Sequence, residues 1–212
     1  MQTNRTNSKD DHCLIASQAL RAWLADIFLS VKFSEQHAHL AADVLLSADL
    51  RGIDSHGVAR LSGYLRLIES GRINPSPNLQ FTQRKRATGH LDADAAIGLI
   101  SAPFAMQKAL EMTHECGSGW VGISNSNHFG IAAYHAMMAI PHNYIGFSTT
   151  NASPLVTPAG GAERMLGTNP ICVAIPAGKE IPFVLDMATS AAANGKLEIA
   201  ERLQKPIPNE LP

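Results

Sequence analysis

The stretch GSGWVGISNSNHFG, residues 117–130, decides how the fold is read. Three of its glycines spell G-x-G-x-x-G, the pattern of a dinucleotide-binding turn: Gly117, Gly119 and Gly122. Such a turn needs a strand before it and a helix after it, because the helix N-terminus must face the pyrophosphate. The apolar pattern predicts the reverse order here, a helix over 102–116 and then a strand over 120–124. We therefore interpret Gly117 as a left-handed residue that ends a helix, and we predict a fold other than the Rossmann fold.

The rest of the chain divides into a helical part and a mixed part. Apolar residues recur at helical spacing in three segments up to Ser70; Ser34 is predicted to cap the second, and the third is predicted to start at Asp54 or Ser55. The prolines of INPSPN, residues 73–78, end this pattern. Beyond them the sequence predicts strands with a turn in 79–94, a helix over 131–139, strands over 144–150, 171–175 and 183–186, and a helix near Ser190. We predict a mixed α/β fold with a helical region over 1–75 and a mixed-sheet domain over 76–212.

The overall composition excludes several classes of function. The 212 residues carry a formal net charge of -1 and are 45% hydrophobic, so no basic surface for nucleic acid is expected. No apolar run reaches the length of a membrane span, and the N-terminus lacks the apolar core of a signal peptide. The three cysteines lie far apart, which favours reduced thiols. These features predict a cytoplasmic protein.

A polar run, Asn125 to His128, follows the strand predicted at 120–124. Loops at strand ends often carry chemistry, because the strand holds the loop residue in place. A histidine there can exchange protons near neutral pH. The alternative, equally compatible with the sequence, is a polar cluster that caps the following helix and leaves the histidine partly exposed.

A second group of polar residues lies in DSHGVARLSGY, residues 54–64. If this segment is helical, His56, Arg60 and Tyr64 share one face at spacings of four. An imidazole, a guanidinium and a phenol together suit a small carboxylic acid. The alternative is a solvated helix face. The remaining histidines lack the spacing of metal ligands, so we predict no metal site.

Both groups fall within motifs that resemble one enzyme family. The motifs are DLRGIDSHGVARLSGY, INPSP, GISNSNHFGIAAYHA, GFSTTNASPLVTPAGGAERMLGTNP and PFVLDMATSAAANGK. In combination they resemble the type 2 malate/L-lactate dehydrogenases, a group that includes ureidoglycolate, sulfolactate and diketogulonate oxidoreductases. The resemblance implies a non-Rossmann, sulfolactate-dehydrogenase-like fold that binds NAD or NADP.

The resemblance also implies roles for single residues. His128 matches a general base and His56 a proton donor, and the family does not agree on which is primary. Substrate-binding roles are implied for Ser55, Arg60 and Tyr64. Cofactor contacts are implied for Ala152, Asp186, Met187 and Ala188. Relatives often have a serine where this chain has Ala152, which removes one possible hydroxyl contact.

These implications lead to one leading hypothesis and one alternative. The leading hypothesis is an NAD(P)-dependent oxidoreductase, homodimeric by resemblance, that moves a hydride between nicotinamide and a small 2-hydroxy or 2-oxo acid. The family's chains continue well beyond Pro212, so we expect a C-terminally truncated chain with an incomplete cofactor domain. The alternative is an inactive fragment that keeps only folded pieces or an oligomerisation surface. The sequence leaves open which acid is bound and whether the cofactor is NAD or NADP.

Overall fold

The computed structural model describes residues 14–190, 200–201 and 204–206. The helices are α1 Ser17–Ser30, α2 Glu35–Leu50, α3 Leu61–Glu69, α4 Gly98–Cys116 and α5 Ala132–Met137. The strands are β1 Gln80–Lys85, β2 Thr88–Ala96, β3 Trp120–Ser126, β4 Gly146–Thr149, β5 Ile171–Ile175 and β6 Phe183–Met187. The helix predicted to start near Ser190 falls on residues outside these ranges, as does Cys13.

Helices α1 and α2 pack against each other as their apolar spacing predicts. Ser34 caps α2, because its Oγ accepts a hydrogen bond from the His37 amide. The main core joins these helices to α3 and to the start of α4, and it includes the fully buried Leu24, Phe28, Val44, Leu45, Ile97 and Leu99. This core contains residues from both sides of position 75, and the boundary between 1–75 and 76–212 stays a prediction.

The third helix begins later than the sequence predicted. Residues Asp54–His56 and Val58–Arg60 form two short 3₁₀ turns, and α3 starts only at Leu61. The prediction of one helix from Asp54 or Ser55 was therefore wrong. The reason is a tertiary contact, because the Val58 amide donates to the Asp49 carboxylate of α2 at 2.9 Å and not to a carbonyl four residues earlier.

The first sheet has the strand order β1-β2-β3, with β1 antiparallel and β3 parallel to β2. Helix α4 makes the crossover between β2 and β3 and packs on the sheet. Gly117 ends α4 in the left-handed conformation, with φ of 84°, and β3 follows directly. The interpretation of GSGWVG as a helix end and a strand start is confirmed, so this is not a dinucleotide-binding turn.

The second sheet is antiparallel, with the order β4-β5-β6. One face packs on α5 through a smaller core that contains Cys172 and Ala174. The opposite face exposes large apolar side chains, namely Phe147, Ile171, Ile175, Phe183, Leu185 and Met187. Two small sheets with helices packed on them make the mixed α/β architecture that the sequence predicts.

Two further observations concern the described part of the chain. None of its helices combines the length and the apolar character needed to cross a membrane. Among the same residues, no group of three or more His, Cys, Asp or Glu side chains is arranged to hold a metal ion.

Candidate functional site

His128 lies just after β3, in a short segment that main-chain hydrogen bonds fix to the neighbouring elements. The Asn127 amide donates to the Ala96 carbonyl at 3.0 Å, and the Gly98 amide at the start of α4 donates to the His128 carbonyl at 3.1 Å. A Cβ on Gly98 would meet the Asn127 carbonyl and Phe129 at 2.5 Å, so a glycine is needed for this close approach. The backbone of His128 is thereby tied to both β2 and α4.

The polar residues before His128 brace the strand ends. The Asn127 side-chain amide donates to the Ala95 and Ala96 carbonyls at 3.0 and 3.2 Å. Asn125 donates to the Asp92 carboxylate at 3.0 Å. These bonds join the ends of β2 and β3, and the N-cap of α5 is Ile131, so the predicted cap for the following helix was wrong. The other part of that alternative, a partly exposed His128, is confirmed. The run supports the strand ends while His128 is left to face the site.

The His128 ring meets Tyr64 across the site. Tyr64 is 3% exposed, and its hydroxyl lies 2.7 Å from His128 Nδ1. The Gly130 amide also donates to Nδ1, at 3.2 Å. Because an amide can only donate, Nδ1 is an acceptor and the proton of the neutral ring is on Nε2. The geometry therefore assigns Nε2–H as the donor that His128 can offer to a ligand.

His56 stacks on the same ring, and Ser55 and Arg60 lie beside His56 in the two 3₁₀ turns. The His56 and His128 rings stack with centroids 5.6 Å apart and planes at 29°. Ser55 Oγ lies 2.9 Å from His56 Nδ1, and Arg60 Nε donates to the Ser55 carbonyl at 2.6 Å. The structure thus brings all of the predicted catalytic and substrate-binding residues together. It does so through the turns and α3, and not through one continuous helix face.

The electrostatics of the site favour a neutral His128 and an anionic ligand. Partial withdrawal from solvent lowers the pKa of His128, and the charges of His56 and Arg60 act in the same direction. His128 as a residue stays exposed, which limits the size of the shift and leaves its direction unchanged. Burial raises the pKa of Tyr64, opposed by the charge of Arg60. At pH 7 the site therefore holds a neutral imidazole and a neutral phenol beside a guanidinium.

The predicted cofactor residues lie at one end of the second sheet. The Thr189 amide donates to the Thr168 carbonyl at 2.9 Å, and the Ala152 amide donates to Asn169 Oδ1 at 3.0 Å. The end of β6 and the loop with Ala152 are therefore held by the same short segment. Met187 is 45% exposed there, next to Ala188.

Asp186 faces the other way, towards α5. Its carboxylate accepts from the Ala133 amide at 2.8 Å, in the first turn of that helix. A carboxylate at a helix N-terminus satisfies an otherwise unpaired donor and is favoured by the helix dipole. The bond ties β6 to the helix that follows His128, so the end of the second sheet and the histidine segment are held close together.

Gly130 is a residue of the site that the sequence reasoning missed. Its φ of 77° requires a glycine, and its amide orients the His128 ring. The signal was present as a glycine two residues after the histidine in NHFG.

Comparison with known proteins decides the family. The model of the malate/L-lactate dehydrogenase family matches residues 15–211. The chain belongs to the malate/L-lactate dehydrogenase family. The fold agrees with this assignment, since the structure of malate dehydrogenase from Pyrococcus horikoshii OT3 superposes with a TM-score of 0.86 at 40% identity, over 91% of this chain and 56% of that one.

Relatives in the malate/L-lactate dehydrogenase family carry several substrate names. Malate dehydrogenase of Pyrococcus abyssi is 43% identical over 199 residues, which cover 94% of this chain and 55% of the relative. L-sulfolactate dehydrogenase of Methanocaldococcus jannaschii is 39% identical over 184 residues, which cover 87% of this chain and 53% of the relative. The chain spans about half the length of the family members it matches.

Proposed function

We propose that this chain carries the substrate site of a nicotinamide-dependent dehydrogenase for a small 2-hydroxy or 2-oxo acid. The observation that carries the proposal is the convergence of His56, Arg60 and Tyr64 on His128, from segments 64 residues apart. Relatives named for malate, sulfolactate and hydroxycarboxylate support the same class of substrate. Homodimeric assembly is part of the proposal and is tested by light scattering of the purified chain.

In the proposed site Arg60 binds the substrate carboxylate. Its guanidinium suits a two-point contact with a carboxylate, and its Nε is held by Ser55. Arg60 also lies close enough to Tyr64 and His128 for its charge to affect the pKa of both. A carboxylate on Arg60 therefore places the neighbouring 2-oxo carbon beside His128.

His128 donates to the 2-oxo oxygen through Nε2. When bound, the reduced nicotinamide supplies the hydride that reaches the carbonyl carbon. As that carbon is reduced, the Nε2 proton passes to the oxygen and a proton from solvent replaces it on Nε2, so the ring ends neutral while the Tyr64 hydroxyl and the Gly130 amide continue to donate to Nδ1.

The residues at the end of the second sheet fit a bound nicotinamide nucleotide. Ala152, Met187 and Ala188 would contact it with small or apolar groups, on an edge tethered to the His128 segment through Asp186. In this proposal Asp186 orients the edge, because Oδ2 of its carboxylate accepts from the Ala133 amide.

The experiment is a screen of NADH and NADPH oxidation with oxaloacetate, pyruvate and 3-sulfopyruvate. We expect turnover that falls at least 100-fold in His128→Asn, within the range for loss of a positioned proton donor. We expect Arg60→Lys to raise KM more than it lowers kcat, since a lysine binds the carboxylate with poorer geometry. Equal turnover by His128→Asn and the unaltered protein would refute the role of His128. A folded chain that binds neither nucleotide nor 2-oxo acid would instead support the inactive-fragment alternative.

A further inference from the structure

A carboxylate that none of the proposed roles uses lies beneath the substrate-binding turns. Asp49 is the penultimate residue of α2, where the helix dipole disfavours a negative charge. The residue is partly buried, and burial raises its pKa, with the charge of Asp54 adding to the effect. A carboxylate in this place costs folding free energy unless specific contacts compensate it.

The main compensating contact comes from the turn that carries His56 and Arg60. Val58 lies midway in the sequence between His56 and Arg60, and its amide donates to Asp49 Oδ2 at 2.9 Å. Gly57 lies directly against the carboxyl group, and a Cβ at Gly57 would overlap it. The φ of Gly57 is -90°, so the glycine is needed for space and not for its backbone conformation.

The turn is also held by the bond from Arg60 Nε to the Ser55 carbonyl and by the packing of Val58 on the main core. Its own main-chain bonds are single 3₁₀ contacts, such as the His56 amide to the Ile53 carbonyl at 3.0 Å and the Arg60 amide to the Gly57 carbonyl at 2.9 Å. Such bonds have poorer geometry than those of an α-helix, and short 3₁₀ segments are marginal alone. The bond from Val58 to Asp49 ties the turn to the end of α2, a helix buried in the main core.

We propose that Asp49 is a positioning residue of the substrate site, which holds the turn so that Arg60 and His56 meet the ligand together. The inference rests on the proposed function, since it assigns Asp49 a part in binding the same 2-oxo acid. Asp49 acts through Arg60 and His56, and does not itself touch the substrate.

The test compares three substitutions on α2. Asp49→Ala removes the acceptor, Asp49→Asn keeps an oxygen for the Val58 amide, and Asp43→Ala is the matched control. Asp43 lies on the same helix and pairs with Arg21 at 2.9 Å on the surface, where such pairs add little stability. Oxamate, an unreactive 2-oxo acid analogue, is titrated by calorimetry with NADH present, and kcat and KM are measured for the substrate found in the screen.

We expect Asp49→Ala to weaken oxamate binding about tenfold and to raise KM more than it lowers kcat. Asp49→Asn is expected to stay within about threefold of the unaltered protein, and Asp43→Ala to match it. A folded Asp49→Ala protein with unchanged oxamate affinity would overturn the inference. So would an Asp49→Asn protein as impaired as Asp49→Ala, because the hydrogen bond would then not be the cause.

A second readout needs no ligand. The ring resonances of His56 in long-range ¹H–¹⁵N spectra report the shape of the turn, and we expect them to shift in Asp49→Ala and in Gly57→Ala but not in Asp43→Ala. Gly57→Ala displaces the carboxylate without removing it, so it serves if Asp49→Ala fails to fold. Unshifted His56 resonances would overturn the inference. Failure of the unaltered protein to bind oxamate, with the resonance shifts present, would refute the proposed function alone.

Discussion

Substituting Gly130 with alanine tests how the His128 segment is built. The φ of Gly130 is 77°, and an added Cβ would lie 3.0 Å from Leu99 Cδ2 and 3.4 Å from Val44 Cγ1. The left-handed conformation costs an alanine about 1–2 kcal/mol. Leu99 is fully buried, so moving it adds about 1–3 kcal/mol of overpacking. The lower entropy of the unfolded alanine chain returns about 0.4–1 kcal/mol.

Together these effects predict that Gly130→Ala loses about 1–4.5 kcal/mol in the free energy of unfolding. Two other glycines separate the causes. Gly117 has φ of 84° with open space around it, so Gly117→Ala reports the conformational cost alone, about 1 kcal/mol. Gly122 has neither a positive φ nor a neighbour within 4 Å, and Gly122→Ala is expected within about 0.5 kcal/mol of the unaltered protein.

The assay is urea denaturation followed by far-ultraviolet circular dichroism, with the free energy of unfolding obtained by linear extrapolation. The expected order of stability is Gly122→Ala, then Gly117→Ala, then Gly130→Ala as the least stable. If Gly130→Ala is as stable as Gly117→Ala, the contact with Leu99 carries no cost. If it matches Gly122→Ala, the backbone reasoning fails as well.

Three further predictions concern charges and protons. Asp186→Ala should lower the free energy of unfolding, measured by urea denaturation, by about 1–3 kcal/mol, because it leaves the Ala133 amide unpaired. Asp186→Asn should lower it by less than half as much. Equal losses in the two variants would contradict the capping role. Long-range ¹H–¹⁵N spectra at pH 7 should show the ring proton of His128 on Nε2. Tyr64→Phe should leave the proton there, because the Gly130 amide still donates to Nδ1. A proton on Nδ1 in either protein would contradict the assignment. Burial lowers the pKa of His135 to about 4, so the unfolded chain takes up a proton first and stability should be lost as the pH falls from about 6.5 to about 4. Urea midpoints that do not fall between pH 7 and pH 5 would refute this.

Elements set by local sequence were predictable. The apolar spacing located α1 and α2, Ser34 was identified as a cap, and the glycine after α4 was identified as a left-handed helix end. Each depends on residues within one or two turns of the chain, which is the range over which spacing and capping rules act.

Features that depend on distant contacts were not predictable. The delayed start of α3 follows from Asp49, whose carboxylate takes the Val58 amide from nine residues away. The contact between Tyr64 and His128 joins residues 64 positions apart, so the two groups of polar residues could be proposed separately but not placed together by spacing. The resemblance to a known family supplied that link before the geometry did.

The bond from the Gly130 amide to His128 separates two properties of the site. The position of the ring proton is encoded within three consecutive residues and depends on a main-chain group that no side-chain substitution removes. The residues proposed to bind the substrate carboxylate lie on other segments, around Arg60. Substitutions around Arg60 that adapt the pocket to a different acid can therefore accumulate without changing which ring nitrogen of His128 carries the proton. A fold arranged in this way can diversify its substrates while it keeps its acid–base chemistry, and relatives named for malate and for sulfolactate show such diversity among similar chains.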